Sequence, residues 1–370
     1  MKIHWMIFVA LITIIVQAWV ARKWMLKGIT YNRFFSVSRA FEGEEIEMVE
    51  RISNRKLLPV PWLRIESKIS QNLEFKKQFN LDIKHEQFHK SLFSLMPYTA
   101  INRRHQVKCK KRGCYRLNSA ALTCGDLFGF QDATKVYELD AQILVYPKLV
   151  NLDEIPFLSR SWMGDVVVKR WIIDDPFMYA GVREYTAGDP LNSINWKATA
   201  RTGNLQVHKR DYTADPRIMI YLNMDVREDM WGPITDPELI EKGISYAASI
   251  VNHAIAQGID TGFGTNGYVI DQPEESVRIL PRGGEEQLIL LLDTMAKLVI
   301  DRSVTFYTFI EEDIKYSASA AVSGAVDYLF ITTHVSERMQ NQIKQLEDMG
   351  NSVEILWLED THKAGVSHEG

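Results

Sequence analysis

The sequence predicts an α+β multidomain chain: an N-terminal transmembrane helix, a small β-sandwich-like domain and a C-terminal α/β domain. Three observations predict it. Residues 5–21 are apolar except for Thr13 and Gln17. Residues 29–150 read as short extended runs divided by turn signals, the pattern of a small sandwich of strands. From Arg217 onward, apolar extended runs alternate with helical periodicity, as in a sheet flanked by helices. With 370 residues, the chain has room for two domains beside the apolar segment.

Composition narrows the function classes. The chain is 46% hydrophobic and 24% charged, with a net charge of −4. That balance excludes a strongly basic nucleic-acid binder, so no nucleic-acid partner is expected. The three cysteines, Cys109, Cys114 and Cys124, make no disulfide framework and no four-ligand zinc set. They read as small buried side chains in a reduced, cytoplasmic protein.

Residues 1–28 are expected to be a membrane anchor. Seventeen helical residues rise about 25 Å, slightly short of a bilayer core of ~30 Å. Trp5, Trp19 and Trp24 stand where interfacial aromatics belong. A cleaved signal peptide is the competing reading, but Val16-Gln17-Ala18 is a poor cleavage site. Lys2 precedes the run, whereas Arg22, Lys23, Lys27, Arg33 and Arg39 follow it. The positive-inside rule then predicts a single-pass cell-membrane protein in the lipid bilayer, its soluble domains facing the cytoplasm.

Within 29–150, Val107–Lys108–Cys109, a turn at Lys111–Arg112–Gly113, and Cys114–Tyr115–Arg116–Leu117 look like a hairpin. The α/β domain is expected over 217–358, with a polar tail at 359–370. Its first strand is 218–225. Asp236 caps the first helix, Pro237 occupies that helix's first turn, and Gly258 ends it. Strands are expected at 260–264, 304–310, 327–332 and 352–358, with helices at 285–299, 317–326 and from Ser336 to Gly350. Gly262, Gly264 and Gly267 match a dinucleotide fingerprint by letters only, since no helix opens after them. Asn266–Gly267 reads instead as a hairpin turn. No cofactor is expected there.

Residues 151–216 connect the two domains and carry the densest chemistry. Arg183, Glu184, Tyr185, Gly188 and Asp189 lead into a turn. Asn192 or Ser193 could cap a short helix bearing Ile194, Trp196, Lys197 and Arg201 and ending at Gly203. Trp196 is expected to pack inward. Two readings of the charges stand open: an ion network that ties the segment together, or a site with Asp189 or Glu184 as base and Arg183 or Arg201 as anion clamp. The pattern Arg-Glu-Tyr-x-x-Gly-Asp, followed by Ile-Asn-Trp-Lys-Ala-x-Ala-Arg-x-Gly-x-Leu, resembles the signature of the bacterial domain of unknown function 58 family. Asn195 stands where many members carry Asp or His, and Asn192 where they carry Arg. The resemblance implies a neighbourhood shared with MoxR-type AAA+ ATPases and transglutaminase-like membrane proteins, in assembly or maturation of other proteins.

The strand ending at Asp225 gives the C-terminal domain the look of a Rossmann-like von Willebrand factor type A domain. Those domains commonly hold a divalent ion through Asp-x-Ser-x-Ser. Here Asp225, Arg227 and Asp229 follow that spacing, and Arg227 cannot ligate. A Mg²⁺ ion at Asp225 is therefore not the expectation. The loop 225–235, with Arg227 and Trp231, is instead the expected partner contact. The sequence thus predicts a membrane-anchored, non-enzymatic scaffold or adaptor. The alternative is a small-ligand-binding protein or enzyme using Arg183, Asp189 and Arg201.

Overall fold

The computed structural model describes residues 5–9, 12–13, 24–76, 81–84, 88–125, 132–156, 174–186, 194–212, 217–227, 234–319 and 326–359. The chain divides into two units. One comprises residues 1–149 and 292–298, the other residues 150–291 and 299–370.

The first unit is built from β1 (Ile29–Phe35), β2 (Arg39–Phe41), β3 (Glu45–Asn54), β4 (Val60–Lys68), β5 (Leu73–Phe75), β6 (Leu81–Lys84), β7 (Phe88–Leu95), β8 (Ala100–Cys109), β9 (Gly113–Gly125) and β10 (Asp132–Tyr146). One sheet runs β1-β3-β8-β5 and the other β2-β10-β9-β4-β7-β6. All these pairings are antiparallel except β2 with β10. Period-2 alternation turns one face of each sheet inward. Met48 and Val107 of one sheet meet Leu117 and Ile143 of the other in a common core. Ile52 likewise meets Leu63, Phe93 and Leu122. The expected hairpin over 107–117 is not formed, because β8 and β9 belong to opposite sheets. The turn between them carries the chain across the core.

The second unit opens with a single 3-10 turn, Leu152–Glu154, and then β11 (Asp174–Glu184), helix α1 (Trp196–Thr202) and β12 (Gln206–Tyr212). Next come β13 (Arg217–Leu222), α2 (Pro237–Ala256), β14 (Asp260–Thr265), β15 (Gly267–Val269) and β16 (Val277–Arg282). The helix α3 (Glu285–Lys297) and β17 (Leu298–Arg302) carry the chain through residues 292–298, which are counted with the first unit, and α4 (Phe306–Ser319), β18 (Asp327–Thr332), α5 (Glu337–Asp348) and β19 (Ser352–Trp357) follow in the second. Five strands form a mixed sheet in the order β16-β14-β13-β18-β19. The three inner pairings are parallel, while the edge strand β16 runs antiparallel to β14. Asp236 caps α2 by accepting from Leu239 N, and Ser336 caps α5 by accepting from Met339 N. Such caps satisfy amide groups that a helix start leaves unpaired.

The chain is mostly β-sheet, 45% strand against 28% helix, which overturns the α+β class with its Rossmann-like, von Willebrand factor type A-like domain. The antiparallel edge strand β16, Val277–Arg282, has no counterpart among the expected elements. Residues 304–310, expected as strand, begin α4. Among the described residues no helix is long and apolar enough to cross a membrane. Of residues 5–21, only 5–9 and 12–13 are described, and these are helical and exposed. The single-pass membrane placement and its orientation are therefore withdrawn.

Gly262 and Gly264, which match the dinucleotide fingerprint by letters only, serve packing. A Cβ on Gly264 would sit 2.5 Å from Tyr221 Cε1 and 2.9 Å from Phe309 Cζ, so only glycine lets β14 lie against those rings. Asn266 turns no hairpin, because β14 and β15 belong to different sheets. It is fully buried; its Oδ1 accepts from Met224 N at 2.9 Å and its Nδ2 donates to Val304 O at 3.0 Å.

Candidate functional site

The signature segment folds locally. β11 and β12 pair antiparallel, with Arg183 opposite Val207 and Glu184 opposite Gln206. α1 lies between them in sequence. Its cap is Asn195, whose side chain accepts from Ala198 N at 3.0 Å, rather than Asn192 or Ser193, which lie outside the described residues. Asn195 N also donates to Gln206 O at 2.8 Å. Thr199 Oγ1 donates to Asn195 O and accepts from Gln206 N, both at 2.9 Å. The helix stops at Gly203, whose φ of 76° is left-handed and suits glycine. The polar residues of the motif thus build a clamp between helix and strand. Asn195 is a structural cap, which accounts for an amide at that position.

The clamp presents its large side chains outward. Trp196 is 67% exposed, so the expected inward packing is corrected. α1 is anchored instead through Ile194 and Val207, both buried, which bridge one another. Lys197 and Arg201, one helical turn apart, are exposed. Glu184 is exposed and Tyr185 half-buried. Gly188, Asp189, Trp231 and Asp229 lie outside the described residues, as does the side chain of Arg183. Convergence of Arg183, Asp189 and Arg201 therefore falls outside them too.

Asp225 follows the central strand β13 and is buried. Its Oδ1 accepts from Arg302 Nη1 at 3.1 Å and its Oδ2 from Phe306 N, at the start of α4, at 2.8 Å. Thr333 Oγ1 donates to the carbonyls of Asp225 and Val226. Both carboxylate oxygens are thus engaged, one of them by a side-chain cation. Arg302 brings to this carboxylate the positive charge that a metal would bring. Arg227 is exposed and makes no part of that arrangement.

A third cluster, absent from the sequence expectations, lies between the sheets of the first unit. Arg33 and Glu50 form an ion pair with both side chains fully buried. Tyr31 OH donates to Glu50 Oε1 at 2.8 Å, and Ser91 Oγ to Oε2 at 3.3 Å. His105 Nε2 lies 2.9 Å from Oε2. The carboxylate can only accept, so that hydrogen belongs to His105. Arg33 also donates to Ser67 Oγ. His89 Nδ1 stands 3.5 Å from Arg33 Nη2, and the guanidinium can only donate. Burial, opposed by the hydrogen bond from His105 and the charge of Arg33, leaves the Glu50 carboxyl well below the usual range. Burial pushes the His89 imidazole down to about 3. Ligand atoms of Glu50, His89 and His105 lie within 4.8 Å of one another. Arg33 already neutralises the only carboxylate of the three, so an added divalent cation would bury uncompensated charge. Arg33 Nε, His89 Nε2 and His105 Nδ1 are buried and find no hydrogen-bond partner among the described residues. Alternation was the signal that could have found it: Arg33, Glu50 and His105 occupy positions in phase with Tyr31, Met48 and Val107 on the inward faces.

This cluster should make the first unit acid-sensitive. An unfolded histidine takes up a proton below about 6.5, whereas folded His89 stays neutral down to about 3. The unfolded state binds more protons across that window, so stability falls as pH falls. Glu50, depressed in the folded state, has the same sign below its unfolded value. Urea unfolding between pH 7 and 4 should show a loss of about 2–4 kcal/mol, with a visibly flatter pH slope in His89→Gln. An identical slope in that variant would remove His89 from the account.

Residues 181–341 match the family described as "Protein of unknown function DUF58". The chain is also similar to the "Uncharacterized protein YeaD" of Bacillus subtilis, 19% identical over 269 residues, covering 72% of this chain and 63% of that protein. It therefore spans under two thirds of that relative's length. Solved structures resemble it only loosely. A non-cellulosomal cohesin from Archaeoglobus fulgidus is 12% identical with a TM-score of 0.24, over 34% of this chain and 94% of that one. An alpha-2-macroglobulin from Escherichia coli is 13% identical with a TM-score of 0.25, over 33% and 24%. Likeness at that level carries no functional argument. The family match coincides with the clamp around Trp196 and the Asp225 strand end, and it is on residues 181–341 that this chain resembles the DUF58 proteins.

Proposed function

We propose that the chain is a non-enzymatic scaffold or adaptor that works with a MoxR-type AAA+ ATPase and a transglutaminase-like membrane protein in assembly or maturation of other proteins. The observation that carries this reading is Trp196, two-thirds exposed on a helix held in place by its Asn195 cap and by Thr199. Tryptophan and arginine are frequent binding anchors, and a rigidly mounted one costs little ordering entropy on association. Arg201 and Lys197 stand in the open on the same short helix, which favours a surface contact over an enclosed ligand. The engaged oxygens of Asp225 point the same way, since each already accepts from a donor of the chain itself.

Binding between the full chain and the ATPase, measured with ATP and with ADP, tests the reading. Nucleotide-dependent association is expected. Trp196→Ala should weaken it by roughly 30-fold, the scale of an interface hot spot. Because Trp196 buries little, the same change should move stability by only about 0.5 kcal/mol. Binding unaffected by Trp196→Ala would remove the signature helix from the contact, and absence of association in either nucleotide would remove the partner.

A further inference from the structure

We propose that one end of the first unit, formed by the β3–β4 turn, the β7–β8 turn and Trp24, docks onto an anionic lipid surface. The contact is made by folded turns and includes no membrane-crossing helix. Leu57 is 73% exposed, Met96 66% and Tyr98 70%, with Leu58 and Trp24 also exposed. Single exposed apolar side chains are ordinary; several on adjoining segments mark an interaction surface.

Hydrogen bonds join these segments. Buried Asn54 donates its Nδ2 to Leu58 O at 2.9 Å and to Met96 O at 3.0 Å, and its N to Thr99 O at 2.8 Å. Tyr98 N donates to Lys56 O at 3.3 Å. Lys56 Nζ donates to Trp24 O at 2.8 Å and to Met25 O. Thr99 Oγ1 donates to Met96 O at 2.8 Å. The carbonyls of Trp24, Met25, Lys56, Leu58 and Met96 are therefore satisfied inside the tip.

That internal saturation selects the occupant. Backbone groups that enter an apolar phase must be paired beforehand, because lipid offers them nothing. A surface that adds a partner's strand would instead hold its carbonyls free. Tyr98 has a φ of 50°, an uncommon backbone for a non-glycine residue that the surrounding bonds hold in place. Trp and Tyr are the side chains that settle at headgroup depth, while Leu and Met reach below. Residues 24–28, 54–59 and 96–99 contain no acid and three cations, Lys27, Arg55 and Lys56. Lys27 and Arg55 are exposed, available to lipid phosphates, and Lys27 Nζ lies 5.4 Å over the Trp24 ring.

The test uses the full chain and vesicles of phosphatidylcholine with or without phosphatidylglycerol. In a Cys114→Ser background, an environment-sensitive fluorophore at Leu57→Cys should shift blue on phosphatidylglycerol vesicles and be quenched by spin-labelled acyl chains. The same probe at Lys110→Cys, at the opposite end of β8, should not respond. Leu57→Glu with Met96→Glu should lower partitioning roughly tenfold at unchanged melting temperature. A probe at Leu57 that stays silent while the chain floats with vesicles would overturn the proposal. So would a soluble dimer, broken by the double variant, that forms without any vesicle binding.

Discussion

Replacing Arg33 by methionine should cost about 3–5 kcal/mol of stability, because it leaves the Glu50 carboxylate buried and uncompensated. Both side chains of the pair are fully buried, so water cannot substitute for the lost partner. Glu50→Leu should cost a similar amount, and it also strips acceptors from Tyr31, Ser91 and His105. The double variant is the informative one. A hydrophobic pair in place of a buried ion pair is often neutral, so Arg33→Met with Glu50→Leu should recover part of each single loss. The remainder measures Ser67, Tyr31, Ser91 and His105, whose polar atoms then lose these partners. Urea denaturation followed by tryptophan fluorescence gives the four corners of the cycle. A coupling near zero, with each single loss below about 1 kcal/mol, is the behaviour of an exposed pair and would contradict the arrangement.

Local signals were the legible part of this fold. The caps at Asp236 and Ser336 are read from a polar residue before an apolar period, and a cap needs nothing distant. Strand partners are different. Cys109 and Gly113 flank a turn that looks like any hairpin, and only the packing of Tyr115 and Leu117 against Met48 and Val107 sends the strands to opposite sheets. Residues 304–310 show the ambiguity of a short apolar run. Their buried members Phe306, Phe309 and Ile310, continued by buried Asp313, follow helical spacing, which extends past the stretch that read as strand. Trp196 failed for another reason. Large aromatics are usually buried, and composition cannot tell an anchor for a core from an anchor for a partner. The signature motif was legible as a motif, while the roles of its residues were not: Asn195 and Thr199 hold the segment, and Trp196, Lys197 and Arg201 face outward.

Asp225→Ala should cost about 2–3 kcal/mol, because it unpairs a buried amide and a half-buried guanidinium at once. Arg302 loses its carboxylate and Phe306 N loses the acceptor that caps the start of α4. The negative charge there also faces the positive end of the helix, which adds to its effect. Asp225→Asn separates these contributions. An amide oxygen can still accept from Phe306 N but carries no charge for Arg302, so the loss should be roughly half that of alanine. Arg302→Met in the wild-type chain leaves the cap intact and exposes the value of the cation alone. If Arg302 takes the place of a metal, adding Mg²⁺ should leave the melting temperature of the wild-type protein unchanged. The same addition should raise that of Arg302→Met, where the carboxylate has lost its cation, provided enough oxygen donors surround it. Stabilisation of the wild type by Mg²⁺ would mean that Arg302 yields to the ion, and the strand end would then be a metal site after all. With Arg302 in place, the chain's own charge faces the Asp225 carboxylate, and hydrogen bonds tie Asp225 to Thr333 and to the start of α4.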